Sequence, residues 1–114
     1  MVIIVDAGTA SAAETIAGMF KEEGRARLIG TSPTAGMSGS KETLTVPSGL
    51  FTVRFTVRSH RAGRGRGPEI EGVGVAPDEV VAFDGRAMEG GVDPFIRRAT
   101  ELLRGGAVQA PRFR

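Results

Sequence analysis

An α/β chain built on a parallel β-α-β core is predicted by three observations. A near-continuous apolar run, Val2-Ile3-Ile4-Val5, reads as a strand buried on both faces. A helical pattern follows a turn of small residues, with apolar positions at Ile16, Ala17, Met19 and Phe20. The short run Arg27-Leu28-Ile29-Gly30 then reads as a second strand, the order in which a right-handed crossover joins parallel neighbours.

Each element has a local cause. A strand as apolar as the first belongs in the middle of a sheet, with partners on both sides. Few partners lie downstream, so further strands are expected upstream of Met1 and the domain is expected to be incomplete. The first helix is predicted over about Ala10 to Glu23, with Glu14 in its first turn and Gly24 as its stop. Residues 31–40 lack periodicity and read as a loop. Two alternating segments, Glu42 to Val46 and Phe51 to Ser59, flank the turn Pro47-Ser48-Gly49 and read as a hairpin. Phe51, Val53, Phe55 and Val57 share one of its faces, and Thr52, Arg54, Thr56 and Arg58 the other. That pattern predicts one face on a core and one in water. Residues 61–68 read as a flexible basic loop, residues 73–78 as a compact turn, and Val80-Val81-Ala82-Phe83 as a short apolar run. Asp93-Pro94 starts a helix that runs through Phe95, Ile96, Ala99, Leu102 and Leu103 to a Gly105-Gly106 stop. Residues 1–104 are thus one folded unit and 105–114 a flexible tail.

With 114 residues the chain is one domain at most, and 40% hydrophobic and 25% charged residues are those of a globular protein. Cysteine is absent, which excludes a disulfide framework, a thiol nucleophile and a Cys-ligated metal. No cofactor or metal motif is present, and no apolar run has the length of a membrane span. Arginines at 54, 58, 61, 64 and 66 concentrate charge on one strand and loop, but a net charge of +2 does not describe a nucleic-acid binder. A solvated strand face is the ordinary reading; a hold on a peptide carboxylate or an acidic partner is the specific one.

Chemistry concentrates in Gly8-Thr9-Ala10-Ser11-Ala12-Ala13-Glu14. A serine among small residues at a strand-to-helix turn is where an enzyme exposes a nucleophile. Its own N–H and that of Ala12 stand at a helix N-terminus, where free donors favour a developing oxyanion. An ordinary helix N-cap formed by Thr9 or Ser11 is the competing explanation.

With the element order in place, the chain resembles the C-terminal part of the C-terminal-processing (tail-specific) serine peptidases and the related tricorn-type peptidases. The strand with the 8–14 motif carries the likeness, followed by Gly24-Arg25-Ala26, Leu28-Ile29-Gly30 and Pro33-Thr34-Ala35-Gly36. Val46-Pro47-Ser48-Gly49, Glu71-Gly72-Val73-Gly74-Val75-Ala76-Pro77-Asp78 and the closing helix complete it. The resemblance implies a crotonase-like or ClpP-like fold, with Ser11 as nucleophile and the Ala12 backbone N–H as an oxyanion donor. It assigns a second donor to a glycine upstream of the first strand.

The general base is where the sequence departs. Tail-specific members place a lysine in the loop after the second strand, and the matching position here is Gly36, beside Met37. Lys41 lies five residues further and reads as a solvated strand-edge lysine. Tricorn-type members take a His from upstream of the serine, oriented by a second serine and a downstream glutamate. Glu71 stands where that glutamate is expected, with Glu69 two residues away, although a surface carboxylate beside a turn would look the same. His60, the single histidine, follows the serine instead of preceding it and reads as a loop residue.

The expected function is therefore serine-type endopeptidase chemistry through an acyl-enzyme, with part of the site outside these residues and little or no activity in the chain alone. The alternative is a non-catalytic peptide-binding or assembly module on the same fold, favoured by the glycine at position 36. A polypeptide, held through its C-terminus, is the expected substrate, and no nucleic acid, cofactor or metal is expected. The unpaired edge of the first strand predicts a homo-oligomer. Composition leaves the compartment open; the resemblance implies a bacterial, often extracytoplasmic protein.

Overall fold

In the computed structural model the described residues form two small sheets and four helices, with one apolar cluster between the parallel sheet, the first helix and the 62–75 segment. The structure describes residues 1–65 and 67–105, with backbone only at Arg64 and Gly65. The elements are β1 (Val2–Val5), α1 (Ala12–Glu22), β2 (Arg27–Gly30), β3 (Ser40–Thr45), β4 (Thr52–Arg58), α2 (Ala62–Gly65), β5 (Glu79–Val80), α3 (Gly85–Glu89) and α4 (Pro94–Arg104). Residues 106–114, most of the expected tail, and Arg66 lie outside the described residues.

The first sheet is parallel, in the order β1-β2-β5, with Ile3 opposite Leu28 and Ile29 opposite Glu79. β2 is central, with Leu28 and Ile29 wholly buried, whereas β1 is an edge among the described strands and leaves Ile4 43% exposed. Gly30 is needed at the end of β2, because a Cβ there would collide with the Val5 carbonyl of the neighbouring strand. Asp78 secures the far side: its N–H donates to the Leu28 carbonyl at 2.8 Å, and its carboxylate accepts from the Leu28 N–H at 2.8 Å.

Helix α1 ends where Gly24 enters the left-handed region at φ +65°. The Arg25 N–H then reaches the Phe20 carbonyl at 2.8 Å and the Gly24 N–H that of Lys21 at 2.9 Å, so two carbonyls left open by the helix end are satisfied. The buried face of α1 is Glu14, Ala17 and Gly18, and Ile16 points outward, 49% exposed. At Gly18 a Cβ would stand 3.1–3.3 Å from Val75, Ala62 and Ile70, which is how closely the 62–75 segment packs on the helix. Val5, Ala17, Leu28, Ala62, Ile70 and Val75 form the core, with Ile3 and Ala26 beside it.

Two expectations are corrected. The 61–68 segment contains the one-turn α2 in place of a purely flexible loop, and it is docked on α1 through Ala62, only 2% exposed. The hairpin β3-β4 forms in an antiparallel register, Leu44 opposite Val53 and Glu42 opposite Phe55, but every residue of β4 is exposed. Its apolar face has nothing against it among the described residues, so alternation alone did not place it on a core.

Helix α4 begins as the sequence predicts. The Asp93 carboxylate accepts from the Phe95 and Ile96 N–H groups at 2.8 and 3.1 Å, Pro94 occupies the first turn, and Gly105 caps the end. Arg98 on α4 and Arg27 on β2 both donate to Glu79 of β5, at 2.6 and 3.1 Å, joining helix and sheet. α3 was not predicted; its signal was Asp84, whose carboxylate caps the Ala87 N–H at 3.1 Å.

Gly30→Ala should separate β1 from β2 and lower stability by about 3 kcal/mol, the upper range for overpacking a filled core. Urea unfolding followed by circular dichroism measures it.

Candidate active site

Beyond Val5 the chain turns sharply. The Thr9 N–H donates to the Asp6 carbonyl at 3.0 Å, and the Gly8 N–H to the Asp6 carboxylate at 2.9 Å. Thr9 is therefore occupied in closing this turn: its hydroxyl donates to Asp6 Oδ1 at 3.1 Å and accepts from the Asp6 N–H at 3.2 Å. It is not the helix cap.

Ser11 follows at φ +58° and ψ −127°, the only positive-φ non-glycine residue among those described, and it is exposed. A side chain in this region strains the backbone by roughly 1–3 kcal/mol. The same strained strand-to-helix turn is what lifts a nucleophilic serine clear of its sheet in hydrolase elbows.

Glu14 holds the elbow. It is wholly buried, and no cation pairs with it among the described residues. Four donors surround it instead. Oε1 accepts from the Ser11 N–H at 3.0 Å and the Met37 N–H at 2.7 Å; Oε2 accepts from the Gly36 N–H at 2.8 Å and the Thr34 hydroxyl at 2.7 Å. The Ser11 N–H is thereby consumed, which corrects the expectation that it faces an oxyanion. The Ala12 N–H donates to no acceptor among the described residues and is left as the donor beside Ser11.

The loop that Glu14 grips is itself bound to its neighbours. Ala35 N–H donates to Thr9 at 2.9 Å, Thr34 N–H to Val75 at 3.1 Å, and Gly72 N–H to Gly36 at 2.8 Å. Residues 8–14, 34–37 and 70–75 therefore form one bonded unit. Gly36 has φ +67°, and a Cβ there would lie 2.9 Å from the Val73 nitrogen. Close packing thus explains why this position carries no lysine: no side chain fits.

Glu71 stands on the next turn. Its carboxylate accepts from Lys41 Nζ at 2.6 Å, from the Thr56 hydroxyl at 2.8 Å and from the Gly39 N–H. The Lys41 ammonium above all, then the Gly39 and Thr56 donors, hold its carboxyl down at about 2. Lys41, expected as a solvated strand-edge residue, is only 21% exposed, and its ammonium also donates to Thr56 at 2.6 Å. His60 is half-buried; its carbonyl accepts from the Ile70 N–H at 2.9 Å and its Nδ1 is buried without a partner. Among the described residues Ser11 makes no hydrogen bond to Lys41, His60 or Glu71. Glu69 is exposed and bridges Arg61 through the backbone. Arg54 and Arg58 lie exposed on β4.

A cavity of about 430 Å³ between β5 and α4, bordered by Val81, Asp84, Arg97 and Glu101, includes none of Ser11, Ala12 or Glu71. No helix among the described residues is long and apolar enough to cross a membrane.

The family model described as peptidase family S41 matches residues 1–81, a stretch that contains Ser11, Glu14, Gly36 and Glu71. The chain belongs to peptidase family S41. Its fold is similar to that of mature CPAF complexed with lactacystin, with a TM-score of 0.74 and 25% identity over 90% of this chain. A second structure of mature CPAF matches with a TM-score of 0.72 and 25% identity, also over 90% of this chain. The S41 chain described here spans only 20% and 19% of those two CPAF chains. Among curated proteins, none matches it in sequence.

Two outcomes follow. Glu14→Gln places an amide nitrogen against donors that have no other acceptor, and should cost about 3 kcal/mol in urea unfolding. Glu71 and Glu79, the latter held low chiefly by the Arg98 guanidinium, both ionise more readily folded than unfolded. The Glu71 contribution is complete above the ordinary 4.5 and is lost as pH falls from there through about 2, and that of Glu79 is likewise lost as pH falls below its ordinary value. Denaturation midpoints across this window should fall steeply in the parent and less steeply in Glu71→Gln.

Proposed function

We propose that this S41 chain is the C-terminal part of a serine endopeptidase domain of the crotonase-like or ClpP-like type. Ser11 is its nucleophile, the Ala12 N–H one oxyanion donor, and Glu71 the orienting carboxylate. The single observation that carries this is the strained, exposed backbone of Ser11, held through its own N–H by the buried Glu14 carboxylate. Strain of this kind persists only where surrounding contacts overdetermine it, and it concentrates at functional sites.

The chemistry is acyl transfer. Ser11 Oγ attacks the scissile carbonyl and its proton passes to a base; the oxyanion forms beside the Ala12 N–H. Collapse of the intermediate expels the protonated amine and leaves an acyl-enzyme, which water hydrolyses. Gly36 has no room for a side chain and Lys41 is engaged by Glu71, so neither supplies the base; the resemblance to tricorn-type peptidases implies a histidine from upstream of the serine. An ionised Glu71 suits the task of stabilising the imidazolium. The substrate is a polypeptide held through its C-terminus; the compartment stays open, and only the resemblance points to a bacterial, often extracytoplasmic protein. The outer edge of β1 is unpaired among the described strands and favours pairing with a second copy.

A non-catalytic binding module remains the second reading, favoured by the side-chain-free Gly36 and by a Glu71 that already has partners.

A fluorophosphonate probe, read by intact mass, separates the two. Labelling at Ser11 is expected in the native gene product, not in the 114-residue chain, and not in Ser11→Ala. A natively folded gene product that stays unlabelled establishes the binding module. Ser11→Gly should abolish labelling yet raise stability by about 1 kcal/mol, as backbone strain is released. Sedimentation of the 114-residue chain at high micromolar concentration should show a dimer, and a monomer would count against edge pairing.

A further inference from the structure

Three donors from separate parts of the chain converge on one carboxylate. Lys41 Nζ from β3 and the Thr56 hydroxyl from β4 both bond Glu71 Oε1, at 2.6 and 2.8 Å. The Gly39 N–H bonds Oε2. A carboxylate offers about four acceptor positions, two on each oxygen. Among the described residues Oε1 is filled by its two donors, whereas Oε2 has one donor and one position left. Gly39 keeps that side open, since a Cβ there would stand 2.8 Å from Oε2. The charged and titratable residues on the elements that bond this carboxylate or adjoin it are Lys41 and Glu42 on β3, Arg54 and Arg58 on β4, His60 beyond it, and Arg61 and Glu69 of the adjoining bridge. Of these, Lys41 alone bonds it among the described residues.

We propose that Lys41 is a positioning residue of the peptidase site: with Thr56 it clamps Glu71 Oε1 so that Oε2 presents one open acceptor position to the N–H of the catalytic imidazole. This rests on the peptidase reading above. It gives the lysine at the loop edge a task distinct from deprotonating serine. It also makes the hairpin part of the catalytic apparatus, because both clamping side chains are carried on its strands. An ammonium held at 2.6 Å from a carboxylate and from a threonine hydroxyl is not free to reach Ser11 as a base.

The test combines a carboxyl NMR titration of the 114-residue chain with the pH dependence of Ser11 labelling by fluorophosphonate in the native gene product. In Lys41→Met the Glu71 midpoint should rise from about 2 toward the ordinary 4.5, and Lys41→Arg should restore it. Ser11 labelling in Lys41→Met should fall at least about tenfold, with its acidic limb moved upward in step with Glu71. An unmoved Glu71 midpoint overturns the clamp. A moved midpoint with unchanged labelling rate and pH profile also overturns it, leaving an ion pair of structural use only. Should Lys41→Met fail to fold, Thr56→Val removes one donor and must move the midpoint in the same direction; no movement there overturns the proposal. An unlabelled wild type is a different failure: it removes the peptidase reading, and the clamp's catalytic task goes with it, whatever Glu71 does.

Discussion

The buried Glu14 carboxylate is the contact on which the rest of the site depends. An uncompensated charge in a protein interior is costly, and without a cation only a full set of donors makes it tolerable. Here the donors come from two places at once, the Ser11 turn and the 34–37 loop. The anion therefore cannot be satisfied unless the elbow and the loop are both in place. That mutual requirement keeps Ser11 in a backbone region it would otherwise leave.

Glycine makes the second constraint possible. Gly36 and Gly74 sit at φ +67° and +79°, and side chains there would run into the neighbouring backbone. The 34–37 loop can approach the 70–75 turn only because these positions are bare, and Thr34 and Gly36 bond across the gap. Close approach has a chemical consequence. A position that must be bare for packing cannot also carry a base, so none stands at Gly36.

The hairpin occupies a different regime. Leu44, Phe51, Val53, Phe55 and Val57 are each between 42% and 60% exposed, so its strands are joined to the body through polar contacts at one end. Lys41 and Thr56 make that junction with Glu71. Motion of the hairpin and the geometry of Glu71 are coupled through it, because the two donors cannot move without releasing the carboxylate.

Much of the secondary structure was legible from residues alone. β2 was bounded as observed by Arg27 and Gly30, and α4 by Asp93-Pro94 and Gly105, because caps, proline and glycine act over three or four residues. The order of short motifs likewise determined the family, since each is a local backbone requirement. Which residues met was a matter of tertiary structure. Glu14 read as a first-turn helix residue and Glu71 as a candidate by its place in the motif order, but the partners of both lie 15 to 32 residues away apart from the local Ser11 bond. The exposed side of the hairpin escaped sequence reading for the same reason. Alternation and apolarity state that a face or a strand suits burial, whereas only the packed chain decides what lies against it.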